Sequence, residues 1–437
     1  MVVMREQTVK RPFYRGMLFQ MVVAILAGAL LGYLLPATGV AFNALAVGFI
    51  KLVRLVVGII IFVTVMLGVA KLGGMNRVGK LALTSIVYFE VVTAIAFAWG
   101  MLVANVIQPG GGLHVDPASV DKNLISTFTT QAAQKHSFVD FLLGVVPANP
   151  VGPFLDNNIL QVLIIALMFG FGITRLGPNK DAVVASLVNV EKVIFAVVGF
   201  IMRLAPLAVF GAVAFVVGNY GFATLASLAK LVGSIYLACF VFIAVVFGLL
   251  ARSCGISLWQ LVKYLREELV LAFATASGEA VFPRLIAKME NVGCSTPVVG
   301  FVLPTGYSFN LDGGSIYLTI TSLFIAQAFE VHLSFGEQLT MVGIFMLTSK
   351  GIAGVAGAGM VVLASSLLMM PEIPLVGLAL ALSVDRLSDP MRTVTNVLGN
   401  AIATLFIARW VGERDEVRVR DVLAGEAPAR GVEAVAL

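Results

Sequence analysis

The chain has 437 residues, of which 59% are hydrophobic and 12% charged, with a formal net charge of +5 and a mean hydropathy of +1.00. No water-soluble domain of this size carries so apolar a composition, so the sequence reads as an all-α polytopic membrane protein organised as one integrated unit. Its Lys and Arg lie mostly at the ends of apolar segments, where orientation in a bilayer explains them; they form no nucleic-acid footprint.

In chain order, the basic stretch MVVMREQTVKRPFYRG precedes an apolar run too long for a signal-peptide core, and that run reads as a first span. With it, the first six spans read cleanly, at 16–36, 43–70, 79–107, 153–174, 186–217 and 225–251. Basic clusters flank them alternately. Arg5, Lys10, Arg11 and Arg15 precede the first span, Lys71, Arg77 and Lys80 follow the second, and Arg175, Lys180 and Lys192 follow the fourth. Arg252, Lys263 and Arg266 follow the sixth. The alternation predicts a cytoplasmic N-terminus and a cytoplasmic end to span six, with the polar loop 108–138 outside.

Some polar residues lie inside the spans. Lys51 and Arg54, near the outer end of span two, are placed to snorkel. Glu90 lies well inside span three and reads either as a protonated, hydrogen-bonded helix contact or as part of a proton path. Cys239, Cys254 and Cys294 are too few and too scattered for a disulfide framework or a metal knuckle. His114, His136 and His332 fall in loops or at segment ends, poorly placed for a shared metal.

The pattern changes after residue 252. The run 257–291 breaks at TASGEAVF, around Ser277, Gly278 and Glu279, and the run 336–372 breaks at SKGIAGVAGAG, Ser349 to Gly359. Each predicts two half-helices meeting at a small-residue tip. Between them the span 297–329 is interrupted by PTGYSFNLDGGS. Paired interrupted segments point to a transporter site near the membrane midplane. Irregular backbone at that depth must line a cavity or be buried in protein. Half-helix N-termini favour anions there, and unwound carbonyls suit Na⁺. Close helix packing explains glycines at one tip, but not two tips flanking Asn310 and Asp312.

The last hydrophobic run, about 374–410, contains SVDRLSDPMRTVTNVLGN. Asp385, Asp389, Arg392, Asn396 and Asn400 follow one another at steps of 4, 3, 4 and 4, which puts all five on one face of a helix. Such a stripe faces protein or water, because lipid would leave it unpaired. It reads as a structural ion pair between helices or as a binding site. In the second reading Arg392 offers a planar fork to a carboxylate, Asp389 an acceptor for an ammonium, and Asn396 both a donor and an acceptor. Together they suit an amino acid with an extra carboxylate.

Several motifs fail. GMNRVGK, Gly74 to Lys80, resembles a phosphate loop, but Leu81 stands where Ser or Thr must bind magnesium. No HExxH is present, and no cysteine or serine has a plausible histidine partner, so an intramembrane hydrolase is not expected and the chain does not read as an enzyme. FGFG, Phe169 to Gly172, reads as helix packing rather than an ion filter.

Four stretches in order carry a family likeness: TASGEAVFPR, PTGYSFNLDGGSIYLT, TSKGIAGVAGAG and DRLSDPMRTVTNVLGN. Over nearly its whole length the chain resembles the glutamate transporter family, the dicarboxylate/amino acid:cation symporters, in its bacterial branch. VVPANPVGPFLDNNILQVL and MRLAPLAVFG add weaker support. The resemblance implies eight transmembrane helices, two re-entrant hairpins and a homotrimer in the cell membrane, with both termini cytoplasmic. It implies a scaffold formed mainly by 1–75 and 139–220, an elevator unit formed mainly by 76–110 and 221–412, and a cytoplasmic tail, 413–437. The second hairpin would be the outer gate.

The likeness also implies roles. Arg392 would hold the side-chain carboxylate of the substrate, Asp389 its amino group, and Asn396 with Thr393 the α-carboxylate region. Backbone at Ser277, Gly278, Val355 and Gly359 would close the pocket. Carbonyls of Gly306, Asn310 and Asn396 would line one cation site, Ser308 and the tip around Ser349, Lys350 and Ile352 a second, and the side chains of Asn310 and Asp312 a third. No cofactor is implied, only Na⁺ or H⁺ as coupling ion.

The sequence departs from the family pattern at several positions. NLDGG replaces NMDGT, so Leu311 lacks a thioether and Gly314 a hydroxyl near the distal carboxylate. Gly278 replaces a serine, Asn400 stands where sodium-coupled members carry an aspartate, and Phe89 and Val92 replace hydroxyl-bearing residues. Glu90 and Glu279 are similar to the proton-coupled and dicarboxylate branches. The Asp–x–x–Arg–Thr pattern of Asp389, Arg392 and Thr393 favours aspartate or glutamate as substrate. A C4-dicarboxylate symporter is the first alternative and an anion channel the second.

Overall fold

The computed structural model describes residues 17–72, 75–113, 146–156, 158–227, 229–349 and 358–426. Among them the regular structure is helical apart from one isolated β-bridge, Cys294 to Arg414. The first helices are α1 (Met17–Leu34), α2 (Pro36–Ala41), α3 (Asn43–Leu72) and α4 (Met75–Ile107). Pro36 cannot donate to the turn before it, so the chain breaks at Leu35 and restarts. Next come α5 (Gly152–Leu155), α6 (Ile159–Thr174), α7 (Lys180–Met202) and α8 (Ala205–Ser227). Asn158 caps α6 by accepting from the Gln161 N–H.

The expected single span 186–217 is two helices. The apolar run is continuous, but α7 ends at Met202 and α8 begins at Ala205. Pro206 lies in the first turn of α8, where its missing N–H costs nothing. The expected span four is shorter than read, with the separate turn α5 before it.

The chain continues through α9 (Ala229–Phe242), a π-turn at Ile243–Phe247 and α10 (Gly248–Ser253). The 257–291 run forms α11 (Leu258–Tyr264), α12 (Arg266–Thr275) and α13 (Phe282–Asn291). α12 ends at Ala276 in the left-handed conformation, φ 49°, and the chain reverses over Ser277–Val281. The expected first tip is therefore present. α14 (Thr296–Phe309) and α15 (Asp312–Ala328) are separated by the non-helical Asn310 and Leu311, where the sequence placed the interruption. α16 (Phe335–Thr348) and α17 (Ala358–Leu367) bracket the second expected tip. A Ser334–Glu337 capping box starts α16. The last described helices are the long α18 (Leu378–Trp410) and the short α19 (Glu416–Ala424).

Two packing groups emerge. α1 lies along α8, and α3 packs against α6, α7 and α8. In the other group α15 packs between α4 and α18, and α18 is contacted by α9, α12 and α14. α14 also touches α3, which joins the groups. Among the described residues, four helices are long and apolar enough to cross a membrane, within Pro36–Ala70, Gly79–Ile107, Lys180–Met202 and Ala229–Ser253.

The segment read as a tail starts with a docked helix. Val419, Val422 and Leu423 of α19 are buried. Arg418 donates to the backbone and side-chain oxygens of Asn291, each at 2.7 Å.

Candidate substrate and cation site

α18 presents its polar stripe to protein. Asp385, Asp389, Arg392 and Asn400 are all buried, and Asn396 is partly so. Pro390 lies inside the helix. It withholds one backbone N–H from the ladder two residues before the arginine.

The Arg392 guanidinium is the centre of one cluster. Its Nη1 donates to Asp385 at 3.0 Å, its Nη2 is ion-paired with Asp389, and its carbon lies over the Tyr317 ring, 3.9 Å from the centroid. Tyr317 is on α15, and its hydroxyl donates to the Met360 sulfur of α17 at 3.3 Å. A Cβ added at Gly359 would lie 3.3 Å from Arg392 Nη1, so α17 reaches this cluster through a residue without a side chain. Gly313, in the first turn of α15, abuts the Arg392 backbone, and a Cβ there would stand 2.8 Å from the Arg392 Cα. The close crossing of α15 and α18 therefore depends on that glycine.

Asn396 locks the same crossing. Its side-chain oxygen accepts from the Gly313 N–H at 2.8 Å. α15 has no side-chain cap from its own N-cap residue, Leu311, so a residue of α18 satisfies one of its orphan donors. The first turn of α15 is thus packed against the Arg392 backbone, with Asp312 as its acidic residue. Thr393 is partly buried next to it, and a Cβ on Gly314 would meet only Leu311, at 3.4 Å.

A second cluster lies one to two turns further along α18. The Asn310 amide donates to Asp312 at 3.1 Å and to the Asn400 side-chain oxygen at 3.4 Å. Asn310 and Asp312 have no exposed surface. Gly306 lies directly against the Asn400 carboxamide. The π-turn in front of α10 seats Phe247 against Gly399, where an added Cβ would also meet Asp312. Thr93 of α4 donates to the Phe309 carbonyl at 3.3 Å. The side-chain oxygen of Asn310 is buried with no hydrogen-bond partner among the described residues. An oxygen-rich pocket with one carboxylate is the donor set a small hard cation takes.

Of the sequence-derived residues, Arg392, Asp389 and Gly359 come together around the guanidinium, Asn396 holds the Gly313 N–H at the α15–α18 crossing, and Gly314 lies one residue further along α15 against Leu311. Gly306, Asn310, Asp312 and Asn400 come together in the second cluster. Ser308 and Ser349 are buried. Lys350, Ile352 and Val355 lie outside the described residues, as do the greater part of the 108–138 loop and the last part of the tail. Ser277 and Gly278 form the first tip, where Gly278 meets the Tyr307 hydroxyl. Glu90 is partly buried in α4.

A further expectation is corrected. Arg54 does not snorkel: it donates to Glu279 at 2.6 Å, and that carboxylate is buried. Tyr317, Met360 and Thr93 escaped the sequence reading. In an apolar helix an aromatic or a methionine looks like core, and only the arginine opposite gives Tyr317 its meaning.

The sodium:dicarboxylate symporter family model matches residues 17–410. The chain is similar to the C4-dicarboxylate transport protein of Laribacter hongkongensis (strain HLHK9), 45% identical over 95% of this chain and 93% of that one. It is similar to the protein of the same name in Anaeromyxobacter sp. (strain K), 44% identical over 95% and 94%. A third such protein, from Pectobacterium atrosepticum, is 43% identical over 95% and 96%.

Proposed function

The chain belongs to the sodium:dicarboxylate symporter family, and on that premise we propose that it imports a C4-dicarboxylate such as succinate, fumarate or malate by symport with Na⁺ or H⁺. The observation that carries the reading is the buried Arg392 guanidinium, a cation kept among protein groups on the polar stripe of α18, where its planar fork suits a carboxylate. The names of the relatives favour this substrate over the aspartate or glutamate expected from the Asp–x–x–Arg–Thr pattern.

Electrostatics explain why the carriage is coupled. Arg392 already faces two carboxylates, and Asp312 adds a third nearby acid. A dianion entering such a site needs compensating cations, because unpaired charge is costly away from water. The oxygen cluster of Asn310, Asp312 and Asn400 is where we assign one of them.

The same proposal includes the architecture implied by the resemblance. It comprises eight spans, re-entrant hairpins α12–α13 and α16–α17, and a homotrimer with cytoplasmic termini. A unit of 76–110 and 221–412 moves against a scaffold of 1–75 and 139–220. Asp389 supports a second reading, an acidic amino acid whose ammonium takes that carboxylate.

The test is uptake by protein reconstituted in vesicles, with Na⁺ and pH gradients varied independently. We expect concentrative succinate uptake, weakly competed by aspartate. Aspartate accumulation without succinate transport would establish the second reading, and purely downhill flux would make the protein an anion channel.

A further inference from the structure

Glu279 stands at the tip between α12 and α13, and Arg54 lies on α3, 225 residues away in sequence. Their Nε to Oε2 distance is 2.6 Å, with side-chain exposures of 31% for Arg54 and 6% for Glu279. The other bonds of the tip are local. Val281 N donates to Gly278 O at 3.1 Å, Phe282 N to Glu279 O at 3.2 Å, and Ala280 N to Ser277 Oγ at 3.4 Å. Phe282 also meets the Tyr307 ring of α14 edge-on, with centroids 4.7 Å apart. The tip thus packs on α14 and carries a charged tie to α3, while its leading arm α12 also touches α1, α8 and α18. The α3–α14 contact includes close approaches at two glycines, Gly300 against Thr64 and Gly68 against Pro297. A short ion pair cannot be stretched without breaking.

We propose that Arg54 and Glu279 form a releasable latch that holds the first hairpin tip against α3 and opens each time the hairpin unit moves. This rests on the two-body motion proposed above. Arg54 is then a positioning residue, acting on the rate of movement rather than on the substrate.

The two partners are not equivalent. Released Arg54 is already one-third exposed and hydrates readily, whereas released Glu279 is a buried carboxylate without its cation. Neutralising the acid therefore removes the latch cleanly, and neutralising the arginine strands the acid.

The experiment is substrate exchange in proteoliposomes, measured with labelled succinate and labelled aspartate. E279Q should exchange about threefold faster than wild type, the change in rate expected from a modest ion pair, with the apparent substrate affinity within about twofold. R54Q should be slower or less stable, and R54Q/E279Q should behave like E279Q. If R54Q/E279Q is as impaired as R54Q, or E279Q is slow while R54Q is normal, the latch is wrong.

A second measurement does not depend on transport. Spin labels at Leu55→Cys on α3 and Trp259→Cys on α11, both on exposed positions, are placed in a background with Cys239, Cys254 and Cys294 replaced. E279Q should add a second distance population. An unchanged distribution overturns the latch, while a wild type that exchanges neither substrate overturns the transport reading instead.

Discussion

The Arg392 guanidinium lies over the Tyr317 ring, its carbon 3.9 Å from the centroid. The ring supports one face of the cation and leaves its edges to acids, of which Asp385 and Asp389 take two donors. A desolvated cation–π contact is worth about 2 kcal/mol. Tyr317→Phe keeps the ring and should leave succinate affinity within about threefold of wild type. Tyr317→Leu should weaken it by about tenfold or more, read from the concentration dependence of uptake.

Arg392→Ala should abolish binding. The dicarboxylate would lose its partner, and Asp385 and Asp389 would face one another without the cation between them. Breaking a buried pair costs about 3–5 kcal/mol, beyond a hundredfold in affinity. Arg392→Lys restores the charge without the fork and should recover only part of it. Normal succinate binding in Arg392→Ala would remove this residue from the site.

Asp389→Asn tests the substrate class. The carboxylate repels a second carboxylate and attracts an ammonium, so its neutralisation should raise the succinate-to-aspartate ratio by about tenfold, or ~1.4 kcal/mol. Competition uptake measures it. Equal changes for both substrates would mean that Asp389 only steadies Arg392.

Much of the site was legible because helical spacing is a one-dimensional signal. The stripe from Asp385 to Asn400 needed only its steps of three and four, and the interruption at Asn310 needed only the small and polar residues around it. What the chain did not announce was pairing across long separations. Arg54 and Glu279 each stood out as a charge in an apolar segment, but nothing local says that one meets the other. The break between α7 and α8 was hidden for a different reason: hydrophobicity runs through it, and only Pro206 marks the restart. The hydrogen bond from Gly313 to Asn396 is equally silent, since it forms between a backbone and a side chain 83 residues apart.

Glu268 should matter for stability rather than substrate. It is fully buried between Arg284, 3.0 Å away, and Lys288, 3.3 Å away, and so ties the two arms of the first hairpin. Both cations have a second partner, Glu267 for Arg284 and the Tyr264 carbonyl for Lys288. Glu268→Gln should therefore cost about 2 kcal/mol rather than unfold the chain. Thermal melts in detergent would read it, alongside succinate affinity unchanged within about twofold. A loss of affinity with no loss of stability would move Glu268 out of this structural role.

Asp312→Asn should uncouple transport. The carboxylate has no exposed surface and receives the Asn310 amide at 3.1 Å. It is the acid of the oxygen-rich cluster assigned to a coupling ion, so a cation or proton should accompany it when the site is loaded. The asparagine keeps the shape and removes the reason for that company. Succinate exchange should survive, while accumulation against a gradient should fall about tenfold and lose its dependence on Na⁺ or pH. Asn310→Ala removes an oxygen but leaves the acid, and should weaken the apparent cation affinity without abolishing coupling. Full gradient-driven accumulation by Asp312→Asn would place the coupling ion elsewhere, and Glu90 would be the next acid to neutralise.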